Sequence, residues 1–527
     1  MNILITNANV YTSNPAQPRA QAIAIANDRI VAVGSQAEIE AVHLPGAKTI
    51  NLNGAFVTPG LTDAHLHLEM TGFALQQVNV FEVTDMAEIV KRVRARAAQT
   101  PKGRWIRGYG WYQWSPGLDE ATSDHPVALE DKSHHALWVN SVALRLCGIT
   151  KDTPDPAGGQ IVRDEHGEPT GLLLENAGSL VDRLIPEPTL ADEEQAVLAA
   201  MKAMNAAGLS GAHCMDGAAG IGTFNTYQRV RQSGKQTLRI VKQLPVQALD
   251  AVVAAGIRSG LGDAWLTIGG IKMFADGALG PHTALMIEPY ENEPHNRGIS
   301  TYEKEDMTEV VIKANGNGLA VVVHAIGDRA NRDVLDAFEI GDAEIEKRTG
   351  VPVHLRNRIE HAQHLHADDI PRFAKQGVIA SVQPIHATGD MAMVDKWLGK
   401  RGATTYAFRS LINSGATLAL GSDAPVETFD PLVGIHAALT RQKADGRPAG
   451  GWYPEQRLTM DEALYGYTIG AAYAGGVERD LGSIQPGKLA DLTVLDRDLT
   501  KTAPDEILST KILGVMVNGE WVVENKF

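Results

Sequence analysis

His65 and His67 stand one residue apart at the end of the apolar run AFVTPGLTDA (55–64). Residues two apart on a strand point to the same side. Such a pair can present two imidazoles to one ion such as Zn²⁺, at about 2.0–2.1 Å per nitrogen. Alone, a His-X-His pair is equally well read as two polar residues on a loop. Here it has company, because LTIGGIK ends on Lys272, LAVVVH on His324, NRIEH on His361 and ATLALGSD on Asp423. His324 and His361 are separated by about one strand–helix unit, which places them on consecutive strands. A carboxylate at the end of a buried strand is costly unless it is paired or bound to a metal. Asp423 can therefore ligate a metal and also accept a proton from a metal-bound water, or it can cap a helix before Ala424-Pro425. Lys272 has two escapes from sitting as a cation beside a metal. It can form an ion pair elsewhere, for example with Asp276, or its neutral amine can react with CO₂ to give an anionic carbamate that bridges two ions.

The elements that must position these groups follow from the pattern. Between the short apolar runs lie helix-like segments such as 193–207, 304–315 and 330–347. Strand–helix alternation over most of the chain implies parallel βα units. A closed (β/α)₈ barrel needs about 250 residues, with the active site at the C-terminal ends of its strands. With 527 residues the chain has room for a barrel, long loops at 280–298 and 385–402, and an excursion at 101–190 rich in Trp, Pro and Gly. The two ends read alike: AIAIA and RIVAVG flank Asn27-Asp28, and GVMV and EWVV flank Asn518-Gly519. Both are hairpin patterns. A small β-domain built from 1–57 and 481–527 is expected around a central domain spanning 58–480.

Composition excludes several classes. Lys and Arg number 48 against 63 Asp and Glu, a net charge of −15, which argues against nucleic acid or an anionic membrane as partner. The two cysteines, Cys147 and Cys214, show no zinc spacing and no disulfide framework. The N-terminus lacks the pattern of a signal peptide, and no run approaches a membrane span. A cytoplasmic protein acting on a small molecule is expected, with a homodimer expected only by analogy with other barrel enzymes of this size.

The ordered motifs TPGLTDAHLHL (58–68), HHALWVNSVAL (134–144), GGIKMFADGALG (269–280), HAIGDRAN (324–331), RIEHAQ (358–363), SVQP (381–384), GSDAPVETFDPLVG (421–434) and LGSIQPGKLADLTVLD (481–496) span nearly the whole chain. They resemble the amidohydrolase superfamily, in particular the amidohydrolase-3 (YtcJ-like) group that includes N-substituted formamide deformylases. The resemblance implies an α/β fold, a distorted TIM (β/α)₈ barrel with a β-sandwich formed by both termini. It also implies that His65, His67 and Asp423 hold one divalent metal, and that N6-carboxylated Lys272 bridges to a second held by His324 and His361. One or two ions, most simply Zn²⁺, are both compatible with the residues.

The implied chemistry is hydrolysis of a non-peptide C–N bond by a metal-activated water, with Asp423 as general base and then acid. The segment RWIRGYGWYQW (104–114) gathers five aromatic residues including Trp111. It either walls a hydrophobic substrate pocket or packs the excursion. His135, Asp216, Arg329 and His386 are further candidates for substrate contact; Asp216 and Arg329 are equally candidates for supporting the metal ligands from behind, with surface ion pairs as the competing reading for both. N-formyl, N-acyl, carbamate or cyclic-amide substrates fit such a site. Ester hydrolysis, decarboxylation or isomerisation at the same metal site, or a regulatory binding role without catalysis, are the alternatives.

Overall fold

The computed structural model describes residues 1–80, 83–111, 117–131, 136–216 and 222–525. Its centre is an eight-stranded parallel sheet nearly closed into a barrel. In chain order the strands are β1 (Leu61–Leu66), β2 (Leu209–Cys214), β3 (Arg239–Pro245), β4 (Leu266–Phe274), β5 (Ala320–Ala325), β6 (Arg358–His361), β7 (Ile379–Val382) and β8 (Leu418–Leu420). Each pairs in parallel with the next. Every residue of β2, β3, β6, β7 and β8 is buried. Strands covered on both faces read as continuous apolar runs rather than alternating ones. Helices such as Lys304–Gly316 and Asp328–Thr349 return the chain between strands, as parallel pairing requires. Gly270 permits the close approach of β4 to β5, since a Cβ there would lie 2.4 Å from the Ala320 carbonyl oxygen.

Backbone and side-chain hydrogen bonds join the segment after β8 to β1. The Asp423 N–H donates to the His65 carbonyl at 2.7 Å, and the His67 N–H donates to Ala424 at 2.8 Å. The buried Asp63 carboxylate accepts from the backbone N–H groups of His65 (3.0 Å) and Ser422 (3.1 Å). His65 and His67 are thereby tied to the sequence-distant Asp423 at the barrel mouth before any ion is considered.

Two further sheets are built largely from the termini. One has the strand order Arg29–Gly34, Ala22–Ala26, Asn2–Thr6, Lys48–Asn51. The other runs Glu520–Glu524, Ile512–Val517, Leu492–Leu495, Phe56–Pro59, Asn9–Tyr11, Arg19–Ala20. Ile3, Ile23 and Ile25 of the first share a core with Val57, Leu492 and Met516 of the second. Asn518 and Gly519 both adopt positive φ (58° and 76°), the conformation demanded by a two-residue hairpin turn. The sheets are bolted to the barrel by a buried ion pair. Arg239 at the start of β3 meets the Asp491 carboxylate with Nε at 2.5 Å and Nη2 at 2.8 Å, and the Asn518 N–H donates to the same carboxylate at 2.8 Å. Removing one partner of a buried pair strands the other charge. Asp491→Ala is therefore expected to cost about 3–5 kcal/mol, read as a lower denaturation midpoint; an unchanged midpoint would show the pair to be neutral.

Residues Gly72–Ala196 form a separate compact unit, within which the expected excursion at 101–190 lies. It carries its own six-stranded sheet, in the order Gly159–Arg163, Pro169–Glu175, Ala136–Val139, Val127–Asp131, Ile106–Trp111, Val78–Asn79. Its cores include Ile89, Val93, Leu129 and Trp138 on one side and Leu144, Ile161 and Leu173 on the other. Among the described residues no helix is long and apolar enough to cross a membrane.

Candidate metal centre

His65, His67, Lys272, His324, His361, His386 and Asp423 line one cavity of about 330 Å³. One donor atom each from His65, His361 and Asp423 lies within 4.8 Å of the others. The Asp423 Oδ1 is 3.3 Å from Nε2 of both His65 and His67. The His324 and His361 rings pack edge to face with centroids 4.6 Å apart. The three-donor group thus draws its members from both of the ligand sets expected from sequence.

The backbone aims two of these groups. His361 (φ 70°) and Asp423 (φ 63°) occupy the left-handed region, which costs a non-glycine residue about 1–3 kcal/mol and is retained where surrounding structure over-determines it. His361 ends β6 and Asp423 follows β8 by three residues, and both line the cavity.

Three of the histidines spend one ring nitrogen on an outer partner. His65 Nδ1 contacts the Glu360 carboxylate. His361 Nδ1 faces Gln383 Oε1 at 2.8 Å, and His324 Nε2 faces the Gly277 carbonyl at 2.9 Å. Donating there leaves the opposite nitrogen with a free lone pair, the usual arrangement for a metal-binding imidazole; in His65 that nitrogen, Nε2, lies beside Asp423. Burial pulls the His324 imidazole down to about 3 and His361 well below its ordinary value, so both are neutral near neutral pH. Burial raises the cost of charge on Glu360, but Arg358 and then His65 outweigh it and hold the carboxyl well below the usual range. Asp423 behaves alike: burial opposes ionisation, and the imidazoles, His65 foremost, overcome it. Burial also opposes a charge on His65, yet Glu360 and Asp423 raise its imidazole above the ordinary value. Two carboxylates converging on one buried ring call for positive charge, which a divalent cation would provide while leaving the ring neutral. Imidazole and carboxylate donors are the set zinc takes, so these residues fit a resident divalent metal.

Lys272 Nζ is buried and has no hydrogen-bond partner among the described residues. The ion pair with Asp276 is not formed. Asp276 instead accepts from three backbone N–H groups, those of Ile326 (3.0 Å), Gly327 (2.7 Å) and Leu285 (2.8 Å). Burial pulls the Lys272 ammonium down to about 8, bringing the neutral amine within reach near physiological pH.

The remaining candidates separate. His386 Nε2 is buried without a hydrogen-bond partner among the described residues and lies 3.7 Å from Asp423 Oδ2. Asp216 is buried, with one oxygen 3.8 Å from His67 Nδ1. Arg329 is half exposed on its helix and pairs with Asp333 at 2.8 Å, the surface ion pair that competed with substrate contact. Trp111 is 5% exposed, packs edge to face against Trp138 and donates its indole N–H to Leu129 within the separate unit. Its indole belongs to the core of that unit. His135 lies outside the described residues.

Arg358 and Glu360 were missed as site residues. Their signal was present in RIEH: two charged residues two apart on a strand share a face, and in a barrel strand that face is the interior. Arg358 is fully buried and also reaches His213 Nδ1 (2.9 Å), the Ala64 carbonyl (2.5 Å) and Ser381 Oγ (2.8 Å).

A parallel barrel with imidazoles and a carboxylate gathered at the ends of its strands defines a class, and comparison with known proteins supplies its name. The chain belongs to the amidohydrolase family, which it matches over residues 48–523. It is 34% identical to Protein LONG AFTER FAR-RED 3 of Arabidopsis thaliana, over 97% of this chain and 91% of that one. It is 30% identical to an N-substituted formamide deformylase of Arthrobacter pascens, over 98% and 97% of the two chains. Among solved structures, a metal-dependent hydrolase from Pyrococcus furiosus superposes with a TM-score of 0.77 at 29% identity, covering 95% of this chain and 100% of that one.

Proposed function

We propose that this protein is a metal-dependent hydrolase of a non-peptide C–N bond in a small substrate with an apolar portion, an N-formyl or N-acyl amine foremost. The observation that carries the reading is the convergence of His65, His361 and Asp423 donor atoms within 4.8 Å, inside a cavity also lined by His67, Lys272 and His324. When bound there, a divalent cation such as Zn²⁺ supplies Lewis acidity that polarises a carbonyl and acidifies a water toward a pKa of about 7.

The chain's own residues supply the rest. Asp423 presents an ionised carboxylate, so its Oδ2 can take a proton from the attacking water and hand it to the departing nitrogen. His386 is held neutral by burial, and its Nε2 can donate a hydrogen bond to a substrate oxygen if that nitrogen carries the proton. Phe274, Leu279, Ile326 and Val426 offer apolar walls, and the cavity volume restricts the substrate to a small molecule. A cysteine nucleophile is disfavoured, since burial pushes the Cys214 thiol up, away from the reactive thiolate. The N-formyl preference is supported by the Arthrobacter relative's name.

Chelator-treated and metal-reloaded protein, assayed on N-formyl, N-acyl, carbamate and ester substrates, tests the reading. Amide turnover that disappears with the metal and returns with it supports it. Ester or lyase turnover with inert amides favours another chemistry at the same site, and tight metal binding without any turnover favours a binding protein.

The same reading gives Lys272, as its carbamate, the role of an anionic ligand able to support a second ion with His324 and His361. Lys272→Ala is expected to lower bound metal, measured by elemental analysis, and to abolish turnover, with short carboxylates restoring part of both. Wild-type metal content in that variant would remove the bridging role.

A further inference from the structure

His67 lacks the outer partner that His65, His324 and His361 each possess. Its Nδ1 is buried without a hydrogen bond among the described residues, and so is Oδ1 of Asp216. These two atoms face each other at 3.8 Å, while the opposite ring nitrogen, Nε2, points at Asp423. Asp216 itself is held tightly. Its Oδ2 accepts from the Tyr227 hydroxyl at 2.5 Å and from the Glu69 N–H at 3.2 Å. Its backbone carbonyl accepts from the ammonium of Lys242, a lysine with no solvent exposure. The backbone around it is registered to β1, the Met215 N–H donating to Leu66 at 2.8 Å.

Among the described residues every hydrogen-bond donor reaching the carboxylate goes to Oδ2, and Oδ1 faces the ring of His67. We propose that Asp216 is a positioning residue for the metal centre: with Nε2 of His67 given to a cation, the ring would carry its proton on Nδ1, facing Asp216 Oδ1 as its acceptor, and the buried Lys242–Asp216–Tyr227 group would fix both tautomer and orientation. Asp216 then acts through His67 instead of touching substrate. The proposal rests on the metal-centre reading above and extends the outer-partner pattern to the fourth histidine. Asparagine cannot replace the aspartate. If its oxygen faces His67, its NH₂ faces two donors; if the oxygen faces the donors, the NH₂ faces Nδ1–H.

The test is a titration of Co²⁺ into metal-free wild type, Asp216→Asn and Tyr227→Phe, followed by visible absorption and chelator competition, with the melting temperature of each metal-free protein as the folding control. Asp216→Asn is expected to weaken Co²⁺ binding by about 10–100-fold and to shift the absorption bands. Tyr227→Phe, which keeps the carboxylate but loosens it, should move both in the same direction by less. Variants that bind Co²⁺ with wild-type affinity and spectrum overturn the positioning role and leave the metal centre standing. The same result accompanied by a raised KM alone returns Asp216 to substrate contact. Wild type that binds no Co²⁺ overturns both the metal-centre reading and this one.

Discussion

Asp423→Asn is expected to lower kcat by about 10²–10⁴-fold, the range over which a positioned general acid–base acts, with a smaller loss of metal affinity. The substitution preserves volume, and the segment's attachment to β1 runs through the backbone N–H of residue 423 to the His65 carbonyl, so the barrel mouth should keep its shape. What asparagine cannot do is accept and return a proton, or supply the negative charge that lies 3.3 Å from two imidazoles. Steady-state rates on the best N-formyl or N-acyl substrate, beside metal content by elemental analysis, separate the two effects. An Asp423→Asn protein with wild-type kcat would show that the proton is carried elsewhere.

The second large effect is expected at the Arg358–Glu360 pair. Both side chains are fully buried and in contact, and Glu360 in turn contacts His65 Nδ1. Glu360→Ala strands a guanidinium in the barrel interior, at a cost of about 3–5 kcal/mol, and removes the acceptor that orients His65. Replacing both residues with leucine and methionine of similar volume removes the stranded charge, so much of the stability should return. His65 would still lack its acceptor, and metal affinity should remain about 10–100-fold weaker. Denaturation midpoints of metal-free protein report the first quantity and chelator competition the second. Recovery of both in the double variant would show that Glu360 serves folding alone.

These two sites differ in how far the sequence disclosed them. Asp423 ends an apolar run, and a carboxylate there signals a partner whatever the fold. Arg358 and Glu360 carry the same kind of signal, two charges on one face of a buried strand, but their meaning depends on which neighbours lie across the barrel. Ser381, Ala64 and His213 come from three other parts of the chain, and no local pattern announces that they meet. Trp111 shows the reverse. A cluster of aromatic residues reads equally as pocket or packing, and only the location of Leu129 and Trp138 shows that the Trp111 indole is packed within its own unit. The Lys272–Asp276 pairing was chemically sensible, yet the backbone N–H groups of Leu285, Ile326 and Gly327 already satisfy that aspartate.

By itself the sequence determined the run of parallel βα units, the hairpin at Asn518-Gly519 and the types of side chain at the strand ends, because alternation, turn chemistry and strand termination are properties of a few consecutive residues. Tertiary structure alone decided which donors share a centre, which nitrogen of His65, His324 and His361 meets an outer partner, and that His361 and Asp423 take left-handed backbones. Those outcomes depend on burial and on hydrogen bonds between residues from tens to hundreds of positions apart, and such partners exist only once the barrel has brought its strands together.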